Sequence, residues 1–212
     1  MDRNLGEEVM KRLSLVACVA AAAFGISAVV PAAAQAGEIS QDVLAGKIHT
    51  TAVARAGSDV QAGRAVVLID APIEDVMAVI QNYGGYKGFM PNFEDSRVLS
   101  QRGASALVYV KVNVMHGAVN FWAEVKLQPK AAQGMTRVVQ GKMTKGNVDQ
   151  FEATWEVTPV EGNKTLVAFQ VLLDPSLPLP ASLVNGENQK SARKAVRALR
   201  ELIEQRKLAT KK

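Results

Sequence analysis

The last third of the chain sets the tightest limit on its fold. From residue 117 to 173 apolar and polar side chains alternate between short turns. Asp174-Pro175-Ser176-Leu177-Pro178-Leu179-Pro180 then breaks the pattern, and one long amphipathic segment runs to about Lys207. Alternation with period two marks strands that bury one face, and the later spacing marks a helix. A curved antiparallel sheet closed by a single C-terminal helix encloses an apolar interior. Function is therefore expected in a pocket rather than in a catalytic cluster.

The first 36 residues stand apart from this pattern. Lys11-Arg12 precedes an apolar run from Leu13 to Val30, Pro31 breaks it, and Ala34-Gln35-Ala36 supplies a small-x-small cleavage site. These are the three regions of a secretory signal, in order. Met10-Lys11-Arg12 is an alternative start, and an uncleaved membrane anchor is the alternative fate. Leu15-Val16-Ala17-Cys18 has the form of a lipoprotein box, but only five residues separate Arg12 from Cys18. Cys18 is the sole cysteine, so a chain cut after Ala36 carries no disulfide or thiol chemistry. The expectation is a periplasmic or secreted protein.

Residues 37–212 suffice for one domain with a real core. The leader holds three basic and three acidic residues, so the net charge of +5 stays with the mature chain. That charge suits transient contact with an anionic membrane surface. It does not point to nucleic acid, because no basic run is interleaved with stacking aromatics.

Strands are expected near 49–53, 63–70, 93–101, 106–115, 118–129, 135–143, 148–158 and 165–173. The glycine-bearing turns between the later ones imply antiparallel hairpins. Ala71-Pro72 opens a helix with Glu74 and Asp75 in its first turn, where the helix dipole favours negative charge. Ile73, Val76, Met77, Ile80 and Tyr83 share one face of it. Gly84-Gly85 ends that helix, and Tyr86–Pro91 forms an aromatic turn.

Four strand stripes make one concave apolar surface: Val108 to Val114, Val119 to Leu127, Phe151 to Val157 and Val167 to Leu173, taking alternate residues. Tyr109 and Trp122 fall on the opposite face and are expected to pack beneath the N-terminal strands or loops. Leu183, Ala192, Ala195, Val196, Leu199, Leu202 and Ile203 form the apolar stripe of the last helix.

The chemistry of sites is sparse. His49 and His116 are far apart, and no His/Cys/Glu group has metal-ligand spacing, so no metal or cofactor is expected. No phosphate loop, nucleophile elbow or nucleophile–base pair is present. Glu152 and Glu156 share a polar strand face and read as solvated carboxylates.

Ile69-Asp70-Ala71-Pro72-Ile73-Glu74-Asp75-Val76 resembles the opening of START-like domains of the polyketide-cyclase and coenzyme Q-binding superfamily. Tyr86 to Pro91 followed by Ser96-Arg97-Val98-Leu99 fits its second signature. Gly141, then Phe151-Glu152-Ala153-Thr154-Trp155 through Pro159, resembles the "F-x-G-x-W-x-x-x-P" strand, with Ala153 where glycine is usual. Asp174-Pro175 with Pro178-Leu179-Pro180 resembles the strand-to-helix connection. The resemblance implies an α+β helix-grip fold of six to eight strands around the C-terminal helix. It places the START-like domain at 64–207, an N-terminal extension at 37–63 and a basic tail at 208–212. It also implies binding of a lipid-like or polycyclic molecule.

The candidate cavity wall takes Tyr83, Tyr86, Phe89 and Met90 from the cap. It takes Val110, Val112, Phe121, Val139, Met143, Phe151, Trp155 and Phe169 from the sheet. Leu179, Leu183 and Gly186 come from the connection and helix, Gly186 either as a close-approach point or as a weak first turn. Arg137 shares a strand face with Val139 and Gly141. It either forks onto a ligand carboxylate, phosphate or carbonyl, or reaches solvent from a strand end. The leading expectation is a non-catalytic carrier for a hydrophobic small molecule or lipid, such as a quinone, a sterol or hopanoid, or an acyl lipid. The alternative is an aromatase/cyclase-like enzyme acting on a polyketide-type substrate.

Overall fold

The computed structural model describes residues 40–114 and 119–210. The signal sequence expected at 1–36, the turn expected at His116-Gly117 and residues 211–212 of the expected basic tail lie outside the described residues. In chain order the elements are α1 (Gln41–Leu44), β1 (His49–Arg55), β2 (Ser58–Ile69), α2 (Ile73–Ile80) and a 3-10 helix (Tyr83–Gly88). Then come β3 (Phe93–Arg102), β4 (Ser105–Val114), β5 (Val119–Gln133), β6 (Thr136–Gly146), β7 (Gln150–Val160), β8 (Lys164–Asp174) and α3 (Ala181–Thr210).

All eight strands form one antiparallel sheet in the order β1-β2-β8-β7-β6-β5-β4-β3. The two ends of the sheet do not pair, so it is curved but unclosed. The alternation seen in the sequence is the register of the ladder. Val108 faces Val125, Val110 faces Ala123 and Val112 faces Phe121 across β4 and β5. Ala65, Phe169, Trp155 and Val139 stand in one row across β2, β8, β7 and β6. A regular ladder would not bend this far. Register shifts in β3, at Glu124/Val125 and at Lys130/Gln133 supply local kinks, as bulges do.

The hairpins are tight, and the β7–β8 turn is the clearest case. Gly162 (φ 75°) and Asn163 (φ 57°) both take the left-handed conformation that glycine and asparagine tolerate best. Strands run further than the turn residues suggest: β5 reaches Gln133 and β6 reaches Gly146. The 3-10 helix begins at Tyr83 and includes Gly84-Gly85, so those glycines sit within it rather than ending α2.

The boundary expected at 63/64 falls inside β2, which starts at Ser58. The segment before it supplies the edge strand β1, so it belongs to the same sheet. At 1.5 Å per residue the 30 residues of α3 span about 45 Å. The helix lies mainly on β2 and β8, and α2 packs on β7 and on α3. No helix among the described residues is long and apolar enough to cross a membrane.

Candidate functional site

The interior has two ends, and their chemistry differs. At one end the 3-10 helix and α2 plug the sheet. The Tyr86 hydroxyl donates to the Ile80 carbonyl at 2.7 Å, and the Tyr83 hydroxyl donates to the Ala104 carbonyl at 3.0 Å. Ser96 Oγ donates to the Tyr83 carbonyl at 2.7 Å. Burial pushes the Tyr86 phenol far above its ordinary range, with neighbouring Tyr83 adding to it. Such a phenol stays protonated and serves as a fixed donor. Trp155 stacks on Phe169 at 4.1 Å between ring centroids and is only 2 % exposed. Val139, Val157 and Val167 are fully buried around them.

At the other end, α3 is pinned to the sheet by two asparagines. The β2–β8 ladder begins at Gly63 opposite Val171; beyond that pair, Asn188 joins the two strands. Its Oδ1 accepts from the Leu173 N–H at 3.0 Å, and its Nδ2 donates to the carbonyls of Gln61 (2.9 Å) and Leu173 (3.1 Å). One turn earlier, Asn185 Oδ1 accepts from the Gln61 N–H at 2.7 Å and its Nδ2 donates to the Asp59 carbonyl at 3.1 Å. The helix backbone approaches β2 so closely that a Cβ on Gly63 would stand 2.2 Å from the Asn188 carbonyl. Here glycine is required for contact between backbones rather than for a turn.

Between that anchor and the cap, side chains fail to meet. A void of about 70 Å³ is lined by Met90, Pro91, Asn92 and Phe93 from the cap and start of β3, and by Val112 and Phe121. Phe151, Phe169, Val171 and Leu173 add to the sheet side, and Asn188, Ser191, Lys194 and Ala195 form the helix side. Space remains because the lining helix residues between Asn188 and Lys194 and just beyond it are small, Ser191 and Ala195, while the ring of Phe121 leans on Phe151 at 5.6 Å rather than across the gap.

Of the sixteen positions drawn from the sequence, Met90, Val112, Phe121, Phe151 and Phe169 line this void. Tyr83, Tyr86, Val110, Val139 and Trp155 do not; they are core, filling the closed end. Phe89 and Met143 pack half-buried against that core. Leu179 is half-buried in the connection. Leu183 is 46 % exposed, because the buried stripe of α3 runs through Val184, Asn188, Ala192, Ala195 and Leu199. Gly186 has open space where a Cβ would stand, so no strand packs against it there.

Arg137 does not enter the cavity. It lies near the start of β6, where the strand projects past the core, and its guanidinium donates to Glu74 Oε1 of α2 at 2.8 Å. That hydrogen bond is the main cause holding the Glu74 carboxyl below its usual range. Tyr109 and Trp122 stack on each other at 6.1 Å on the outer face of β4 and β5, under Arg97 and Lys145, far along the sheet from the N-terminal strands. Glu156 is forked by Arg64 at 2.8 and 2.9 Å, and Lys142 reaches Glu152 at 3.5 Å, so these carboxylates are surface partners.

The helix-side polar residues Asn188, Ser191 and Lys194 were not singled out from the sequence as lining. A signal existed. Continuing the stripe back from Ala192 in steps of four reaches Asn188 and Val184, and a polar residue on a buried stripe points to a built contact.

The site can hold an apolar group in a cleft whose helix wall is partly polar, through Asn188, Ser191 and Lys194. Among the described residues no cluster of His, Cys, Asp and Glu is sized for a metal ion, and no carboxylate or histidine lines the void.

The fold is shared with solved lipid-transfer structures. A STAR-related lipid transfer protein from Xanthomonas axonopodis superposes with a TM-score of 0.66 at 17% identity, over 74% of this chain and 93% of that one. Human StAR-related lipid transfer protein 5 gives 0.65 at 12% identity, over 76% and 83%. A START superfamily protein from Mycobacterium smegmatis gives 0.60 at 15% identity, over 68% and 97%. No curated protein matches the chain. The family model described as "Polyketide cyclase / dehydrase and lipid transport" matches residues 69–200, from the end of β2 to two thirds along α3. With that span covered by the model and the START-like helix-grip architecture around it, the chain belongs to the polyketide cyclase / dehydrase and lipid transport family.

Proposed function

We propose that the protein is an exported carrier or binding protein for a hydrophobic ligand, held in the cleft between α3 and the open end of the sheet. The observation that carries this reading is the apolar void between Phe121, Phe151, Leu173 and the small residues of α3. The family includes lipid transport, and its helix-grip fold hosts lipid-transfer proteins among the solved structures. Quinones, sterol-like or hopanoid lipids and acyl chains are the candidate ligand classes. A void of about 70 Å³ is far below the roughly 300 Å³ of a small-molecule pocket. Entry therefore requires the cap at Met90–Phe93 to move away from α3. Exposed Arg193 and Arg197 on the outer face of that helix give an anionic membrane surface something to attract.

Nile red titration of the full-length chain tests the binding reading. Saturable, blue-shifted emission at one dye per chain is expected, and Ser191→Phe should abolish it without lowering the melting temperature. A chain that binds no dye and carries no lipid through purification overturns the reading. N-terminal sequencing of protein recovered from the periplasm tests export, with Gly37 expected as the first residue.

A further inference from the structure

The polar side chains at the void are distributed unevenly, and only one carries charge. Asn188 is fully engaged, since both hydrogens of its amide are donated to backbone carbonyls. It has no donor left for a ligand. Asn92, Ser191 and Lys194 line the same void, and their side chains make no hydrogen bond or ion pair among the described residues. Ser191 and Lys194 are one helical turn apart, so they project from the same side of α3. No Asp or Glu is among the lining residues to offset the ammonium. Lys194 is exposed, which fits a stem laid along the cleft wall and a charged end in water at its mouth. Its neighbours differ: Lys190 is paired with Glu187 at 2.7 Å.

From this arrangement we infer that the cleft selects a single-chain amphiphile with an anionic head group, a carboxylate or a phosphate. The head sits at Lys194 and Ser191, and the chain runs inward between Met90, Phe121 and Phe151. This inference rests on the binding reading above and gives it a ligand class. The ammonium and hydroxyl both donate, and an anionic oxygen is the acceptor that gains most from two donors. The cleft bounds the other end of the molecule. The void of about 70 Å³ has room for a segment of one chain and not for two side by side. An apolar tail contributes about 0.8 kcal/mol for each methylene buried, so the head need only orient it.

Calorimetric titration of the full-length chain at low ionic strength separates the alternatives, using four probes with the same ten-carbon tail: undecanoate, decyl phosphate, decanol and decyltrimethylammonium. Undecanoate or decyl phosphate, or both, should bind about tenfold more tightly than decanol, the scale of one hydrogen bond to a charged group. The preferred anion tells a carboxylate ligand from a phosphate one. Decyltrimethylammonium should bind most weakly. Lys194→Gln should erase the preference for the anions while leaving decanol binding in place, and Lys190→Gln, which removes the same charge outside the cleft, should keep it. Equal affinity for all four probes overturns the head-group inference but leaves the binding reading standing. An anion preference that survives Lys194→Gln overturns the assignment to that residue. Failure of every probe to bind overturns both readings.

Discussion

The two ends of the sheet's concave face are built from the same alternating pattern, yet one is solid and the other is not. At the closed end, rings from three different elements converge. Tyr86 packs edge-on against Tyr83 at 6.2 Å and Phe89 at 5.6 Å, while Trp155 covers Phe169 at 4.1 Å. At the open end Phe121, Phe151 and Leu173 face a helix wall in which Ser191 and Ala195 are small and Lys194 is turned to solvent. Strand alternation decides which side chains point inward, but what stands opposite decides whether they close the space. Large residues opposite large residues make core, and large opposite small leave a cleft.

Deleting a ring at each end breaks this comparison most directly. Trp155→Ala should cost about 4 kcal/mol, because the closed end has no room to collapse. Phe151→Ala should cost about 2 kcal/mol, since that ring is half-buried beside an existing void. It should also enlarge the cleft and raise the number of dyes or lipids bound. Denaturant midpoints measure both, and equal losses would mean that the two ends are packed alike.

The helix anchor gives the next effect. Asn188→Leu leaves the Leu173 N–H and two carbonyls without partners in a site that is 3 % exposed. A loss of about 3 kcal/mol is expected, with faster hydrogen exchange at the Leu173 amide. The amide exchange is the sharper reading, because a merely smaller core would not select that one group.

Tyr86→Phe should cost about 1.5 kcal/mol, the price of leaving the Ile80 carbonyl without its donor. The same residue predicts a pH dependence. Its folded pKa is raised, so its stability contribution is complete below the unfolded value of about 10 and is lost as pH climbs past it. In that window the unfolded chain releases a proton that the folded chain keeps. Wild-type stability should then fall about 1.4 kcal/mol per pH unit more steeply than that of the phenylalanine variant. Parallel slopes would show that the phenol is not sealed from solvent.

Much of this fold was legible in the residues. The strand stripes at Val108–Val112 and Phe121–Leu127 are the inward faces of β4 and β5, and the break at Asp174–Pro180 is where sheet gives way to helix. The site was less legible. Alternation marks Trp155 and Phe151 as equally inward, and only the elements across from them make one core and the other wall. Arg137 shows the limit of the same rule. It shares the parity of Val139, but parity says nothing about how far a strand runs past the core, and β6 extends beyond it to meet Glu74. Asn188 and Lys194 are long-range facts. Their roles depend on Gln61 and Leu173, brought together by the sheet, and on a cap that arrives from Met90.

Gly186 gives the smallest effect and the cleanest check on where the cleft ends. It lies two residues before the anchor, in the second turn of α3, and its Cβ position is empty. Glycine in a helix interior costs about 0.8 kcal/mol relative to alanine, because the unfolded chain has more freedom to lose. Gly186→Ala should therefore raise stability by about that amount, with ligand and dye binding unchanged. Gly63→Ala is its opposite: an added methyl there collides with the Asn188 backbone and should destabilise strongly. The pair separates two uses of one residue type on facing elements. If Gly186→Ala instead weakens binding, the helix start must approach the ligand, and the mouth would have to be redrawn from Lys194 toward the Leu177–Leu183 connection.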